Sequence, residues 1–122
     1  MSFIPAAQRE IANRNPTDPV RVTLEFLLQN AIGQANSVPI RDVLMHLANN
    51  GILMEYNEFQ QAILGASRHG DYFIGSGTRG VFLIDTLADA RAMRSFYDNK
   101  IQTQQQNLAN LFRAGQSIGW QI

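Results

Sequence analysis

Tyr72-Phe73-Ile74-Gly75-Ser76-Gly77-Thr78-Arg79-Gly80-Val81-Phe82-Leu83-Ile84 contains two β-prone runs, Tyr72 to Ile74 and Val81 to Ile84, around a glycine-rich link from Gly75 to Gly80. Short apolar runs joined in this way predict a β-hairpin. The link also has the spacing GxGxxG. A dinucleotide fingerprint of that form must open a helix within a βαβ unit, so that the helix N-terminus faces the pyrophosphate. Here a short β-prone run follows and no second βαβ half exists, so the nucleotide reading fails. The Gly-Lys-Ser/Thr ending of a phosphate-binding loop is absent too. Apolar residues fall on both faces of the hairpin, with Tyr72, Ile74, Phe82 and Ile84 joined by Phe73, Val81 and Leu83. A half-exposed hairpin alternates, so a following helix or a second subunit is expected to cover the other face.

Working back from the hairpin, three helices are predicted. Asp18-Pro19 is a helix start, because the carboxylate accepts from free amides and proline loses no needed hydrogen bond. The first helix is expected over 19–35, burying Leu24, Leu27, Leu28, Ala31 and Ile32 at helical spacing. Ser37-Val38-Pro39-Ile40 is an extended link. The second helix fits Arg41 to Asn49, burying Val43, Leu44, Leu47 and Ala48, and Asn50-Gly51 stops it. The third runs from Tyr56 to Arg68, with Asn57 as cap and Phe59, Ala62, Ile63 and Ala66 inward. Beyond the hairpin, Thr86 and Asp89 start a fourth helix, uninterrupted by Pro or Gly from Leu87 to Ala114 and about 42 Å long. This gives an arm at 1–17, a domain at 18–86, a long helix at 87–114 and a tail at 115–122. The arm, with a short amphipathic turn from Ala6 to Asn13 before the break at 15–19, is expected to be mobile, with Arg9 and Arg14 available to a phosphate backbone.

The 122 residues suit one domain, and ten cations balance ten acids. A neutral chain has no overall field to attract a polyanion, so nucleic-acid binding would depend on a local patch. Without cysteine, disulfides and thiolate metal sites are impossible. His46 and His69 are the only histidines and lie in separate elements, so no metal site is expected. Glu55 and Glu58 read as surface acids, no serine sits in a nucleophile elbow, and no catalytic constellation or cofactor is expected. No apolar run spans a bilayer and no leader pattern opens the chain, so a cytoplasmic, non-membrane, non-enzymatic protein is expected.

Three short helices followed by a hairpin define the winged helix-turn-helix pattern: an α+β fold, mainly α, here extended by a long C-terminal helix. The run from Val38 to Ile101, and above all His69 to Ile84 leading through Asp85 into a long helix, resembles small winged-helix proteins of bacterial and phage origin. The resemblance implies that the third helix is a recognition helix and the hairpin a wing. Projected at 100° per residue, that helix carries Asn57, Gln61, Leu64 and Arg68 outward, with Gln60 beside them. Amide side chains suit adenine edges, arginine suits guanine or phosphate, and an apolar group suits the thymine methyl. Glu58 opposes phosphate, and DNA-binding members usually carry a more basic surface than Arg68 and His69 provide. Ser76, Thr78 and Arg79 at the wing would grip the backbone.

In the fourth helix, Ile101, Gln104, Leu108 and Leu111 recur at spacings of three and four, the start of a coiled-coil seam, and a homodimer is expected. The apolar residues of the tail, Trp120 among them, need a neighbour. The sequence therefore predicts a double-stranded-DNA-binding transcription regulator or replication accessory factor. The alternative is a winged-helix module that binds a protein partner through Leu64, the hairpin or the long helix.

Overall fold

In the computed structural model, which describes residues 2–68 and 70–121, the chain is mainly helical, with five helices and one small antiparallel sheet. It forms two compact units, residues 1–90 and 91–122. His69, set beside Arg68 in the sequence reading, lies outside the described residues.

The N-terminal segment is a docked helix and not a loose arm. Helix α1 (Ile4–Ala12) packs on α2 (Pro19–Asn30) and buries Ala7 completely. Its start is tied back by Ser2, whose hydroxyl donates to Asp85 at 2.6 Å. Arg14 lies 2.6 Å from Glu10 and 3.2 Å from Asp18, and the Glu10 hydrogen bond is the main reason its guanidinium is held above its ordinary pKa. Two partners already occupy this arginine, so the expected phosphate contact from Arg14 gives way to an ion-pair role.

Helix α2 starts as its sequence dictates. Asp18 is extended and accepts from the Val20 N–H at 2.8 Å, with Pro19 at the first helical position. The helix ends at Asn30, five residues earlier than its periodicity suggests. From Ala31 the backbone leaves the helix to pair with a strand. Strands β1 (Ile74–Gly77) and β2 (Gly80–Leu83) pair antiparallel, Ile74 opposite Leu83 and Gly77 opposite Gly80. The other edge of β2 takes up the 31–38 segment. Ala31 accepts from the Leu83 N–H at 2.8 Å, Leu83 accepts from the Gly33 N–H at 2.9 Å, and Val38 and Val81 exchange hydrogen bonds of 2.8 and 2.9 Å. Gly33, at φ +83°, makes the bend that a helix continuing to Ala35 would not allow.

The hairpin link is shorter than its glycines imply. Gly75, Ser76, Gly77 and Gly80 belong to the strands, and the turn is Thr78-Arg79 alone. Neither turn residue has positive φ; Gly80, at φ +124°, absorbs the handedness. Both hairpin faces are covered within one chain, since Tyr72, Ile74 and Val81 to Ile84 are all buried. Part of the cover is cross-strand: the Phe82 ring lies over Gly75, where an added Cβ would fall 2.5 Å from Cζ. The apolar second face therefore requires no second subunit.

Helix α3 (Ile40–Asn49) buries Val43 and Leu47 and leaves Ala48 exposed, against expectation. The predicted third helix is α4, residues 56–67, in which α-helical Tyr56–Phe59 and Gly65–Ser67 flank a π-helical turn, Gln60–Leu64. The wider turn shifts the following side chains by roughly one residue, or 100°. Ile63 and Leu64 thus both face inward, while Gln60, Gln61 and Ala62 all face solvent. Ser67 closes the buried end, donating to the Leu64 carbonyl at 2.8 Å and accepting from the Ile74 N–H at 3.4 Å.

Helix α5 (Leu87–Gln116) is 30 residues long, about 45 Å. Its start is a reciprocal cap: the Asp89 N–H donates to Thr86 Oγ1, and Asp89 Oδ2 accepts from the amides of Asp85 and Thr86 at 3.2 and 3.3 Å. Asp89 Oδ1 also accepts from the Gln34 N–H at 3.1 Å, linking this cap to the bend after α2. Burial pushes the Asp89 carboxyl up, but the three amides and the Thr86 hydrogen bond outweigh it and hold the group below the usual carboxylate value. At the other end Trp120 N–H reaches Gly115 O at 2.9 Å and Gly119 N–H reaches Gln116 O at 3.1 Å, with Gly119 at φ +80°. This is a Schellman stop. Among the described residues no helix is long and apolar enough to cross a membrane.

Candidate nucleic-acid interface

The turn of the hairpin meets the start of α3 and the start of α4. A groove of about 470 Å³ is lined there by Ile40, Arg41, Leu44, Tyr56, Thr78 and Arg79, with Pro39, Gly77 and Gly80 completing it. The placement follows from strand pairing. Val38 is hydrogen-bonded to Val81, so the residues after it, Pro39 to Arg41, are held beside the hairpin turn. The turn is two residues long and therefore projects Thr78 and Arg79 together. A second, more enclosed groove of about 400 Å³ on the 34–37 side shares Thr78 and Arg79 with the first.

Two cations and one aromatic ring thus share a concave surface. The Arg41 side chain is 86% exposed, with only a loose 3.9 Å approach to Asp42. The first turn of α3 has no side-chain cap, its N-cap being Pro39, so free amides lie next to Arg41. Tyr56 accepts from Gln60 Nε2 at 2.8 Å, which couples the groove wall to the exposed edge of α4. Glu55 and Glu58, also exposed near the start of α4, bring negative charge to the same end.

The predicted site residues separate into three groups. Thr78 and Arg79 line the groove, and Gln60 joins it through Tyr56. Asn57 and Gln61 are exposed on α4, while Arg68 is exposed at the far end of that helix, roughly 18 Å along its axis from Tyr56. Ser76 is half-buried in β1. Leu64 is corrected: at 2% exposure it is core, because the π-helical turn rotates it inward. Ala62, expected inside, takes an outward position. The seam residues Ile101, Gln104, Leu108 and Leu111 are exposed along α5.

No family model, curated protein or solved structure matches this chain. The candidate site therefore rests on its own geometry. Sequence reasoning missed Arg41 and Tyr56. Arg41 had a usable signal, an arginine in the first turn of a helix after Pro39, but only pairing between Val38 and Val81 reveals that this turn adjoins Arg79. The shifted groups Arg14, Tyr72 and Asp89 do not line the groove; Tyr72 is raised chiefly by burial. Among the described residues no three acidic or histidine side chains cluster to hold a metal ion.

Proposed function

We propose that residues 18–86 form a winged-helix module that binds double-stranded DNA, with the exposed edge of α4 in the major groove and the hairpin turn on the backbone. The observation that carries this reading is the convergence of Arg41, Arg79 and the uncapped start of α3 on one groove beside α4. Guanidinium groups and free helix amides are both phosphate ligands. Topology supports the winged-helix part: helices α2, α3 and α4 precede a hairpin whose second strand also pairs with the segment between the first two of them. On α4, Asn57, Gln60 and Gln61 offer amides to base edges, and Ala62 replaces Leu64 as the apolar group that suits a thymine methyl. A role in transcription regulation or as a replication accessory follows from sequence-selective duplex binding.

Fluorescence anisotropy with labelled duplex at low salt tests the reading. Expected is saturable binding that Arg41→Ala and Arg79→Ala each weaken without changing the melting temperature. No binding at ~100 µM protein, weaker than typical non-specific association, overturns it. A protein-interaction module is the second reading, favoured by the exposure of Leu53 (87%) and Met45 (63%). Leu64 no longer contributes to it. Substituting Leu53 and Met45 with serine leaves DNA affinity unchanged under the first reading and abolishes partner capture under the second.

A further inference from the structure

Within the unit formed by residues 91–122, the long helix carries an exposed apolar face. Ile101, Leu108, Leu111 and Phe112 are each about half exposed, at 42–52%. An isolated exposed leucine is ordinary, but four within three helical turns form a continuous row. The flanking sequence is unusual for an exposed helix, since no charged residue stands between Lys100 and Arg113. Solvated helices are normally kept single by charge; this one presents only amides, one hydroxyl (Thr103) and apolar groups.

We infer that this face is where a second copy of the chain docks, helix against helix. The inference is independent of DNA binding. Charge argues for this occupant: a polyanion or an acidic or basic peptide would find no opposite charge between Ile101 and Phe112, whereas two copies of the same neutral face meet without repulsion. Register argues for it too. Laid antiparallel about Gln106, Ile101 falls against the partner's Leu111 and Gln104 against the partner's Leu108, while Phe112 falls beside the partner's Lys100. Successive steps of three and four residues are the spacing at which such rows interlock.

Area sets the expected strength. The four half-exposed side chains leave on the order of 400 Å² per copy. Ile118 and Trp120, each 63% exposed, follow past the Schellman turn. With them a pair of copies buries at most about 1,300 Å², near the lower limit of specific interfaces. A dimer of that size is expected to be concentration-dependent, not permanent.

The test is sedimentation velocity on the full chain, without DNA, from ~1 to ~300 µM, the range in which a micromolar dimer dissociates. Expected is a monomer giving way to a dimer as concentration rises. Leu108→Glu with Leu111→Glu should weaken the dimer at least about tenfold, with helicity at 222 nm as the control for folding. Gln104→Leu supplies the opposite sign. It replaces the polar member of the row by an equally good helix former and should tighten the dimer about tenfold. A chain that stays monomeric throughout, or a dimer that Gln104→Leu does not tighten, overturns the inference. Because no nucleic acid is present, that failure would leave the DNA reading intact, and a dimer without duplex affinity would leave this inference intact.

Discussion

Replacing Gly80 with alanine puts a methyl group 1.9 Å from the Val38 carbonyl oxygen, 2.5 Å from its carbon and 2.9 Å from Pro39 Cα. All three are backbone atoms, so no side-chain rotation relieves the clash. The residue must also hold φ +124°, which costs a non-glycine residue about 1–3 kcal/mol. The relief available is to part β2 from the 31–38 segment, breaking both Val38–Val81 hydrogen bonds at about 1 kcal/mol each. The predicted loss is ~3–5 kcal/mol, a large share of the stability of an ordinary domain. Gly75→Ala meets Phe82 Cζ at 2.5 Å, and Phe82 is buried, so overpacking should cost about 1–3 kcal/mol. Gly77→Ala meets nothing within 4 Å and has no positive φ, so its change should stay within about 1 kcal/mol. Urea denaturation followed at 222 nm gives the three values. The expected order of cost is Gly80, then Gly75, then Gly77. Equal costs for Gly80→Ala and Gly77→Ala would refute the pairing of β2 with Val38, and with it the placement of Arg41 beside Arg79.

The Asp89 cap predicts acid sensitivity. Its carboxyl is lowered in the folded chain, so its contribution is present above the unfolded carboxylate pKa and fades as pH falls through the folded value. Asp89→Ala should cost about 1–2 kcal/mol at neutral pH and progressively less in acid, as denaturation series at several pH values would show. Thr23 is fully buried and its hydroxyl has no hydrogen-bond partner among the described residues. Thr23→Val should therefore stabilise the fold, by about 1 kcal/mol if the unpaired group costs what buried hydroxyls usually do, and raise the melting temperature; a fall would show that the hydroxyl is engaged. Glu58→Gln removes an exposed acid at the start of α4. Duplex affinity in anisotropy titrations should rise several-fold, and an unchanged affinity would mean that α4 does not approach phosphate.

Where structure is governed by near neighbours, it is legible in this chain. Asp18 before Pro19, Thr86 three residues before Asp89, and the helix stop at Asn50-Gly51 each act within a few residues, and α2, α3 and α5 begin or end accordingly. What escapes is non-local. Ala31 and Ile32 continue the apolar spacing of α2, yet they pair with Leu83, some fifty positions away, and no window around them contains that partner. The π-helical turn at Gln60–Leu64 likewise arises from burying the adjacent Ile63 and Leu64 together, a packing demand that a uniform 100° projection cannot register. That one turn accounts for the misplacement of both Leu64 and Ala62. The candidate interface divides along the same line. Thr78 and Arg79 announce themselves as a turn, whereas Arg41 and Tyr56 become part of the groove only when Val38 reaches Val81.

The salt dependence of duplex binding tests the central claim most directly. Log affinity plotted against log salt concentration, for the native chain and for Arg41→Ala with Arg79→Ala, counts the phosphates that these side chains neutralise. If both arginines contact the backbone, the double variant binds more weakly and its slope is smaller in magnitude by about 2. Equal slopes and affinities for the two proteins would contradict the account.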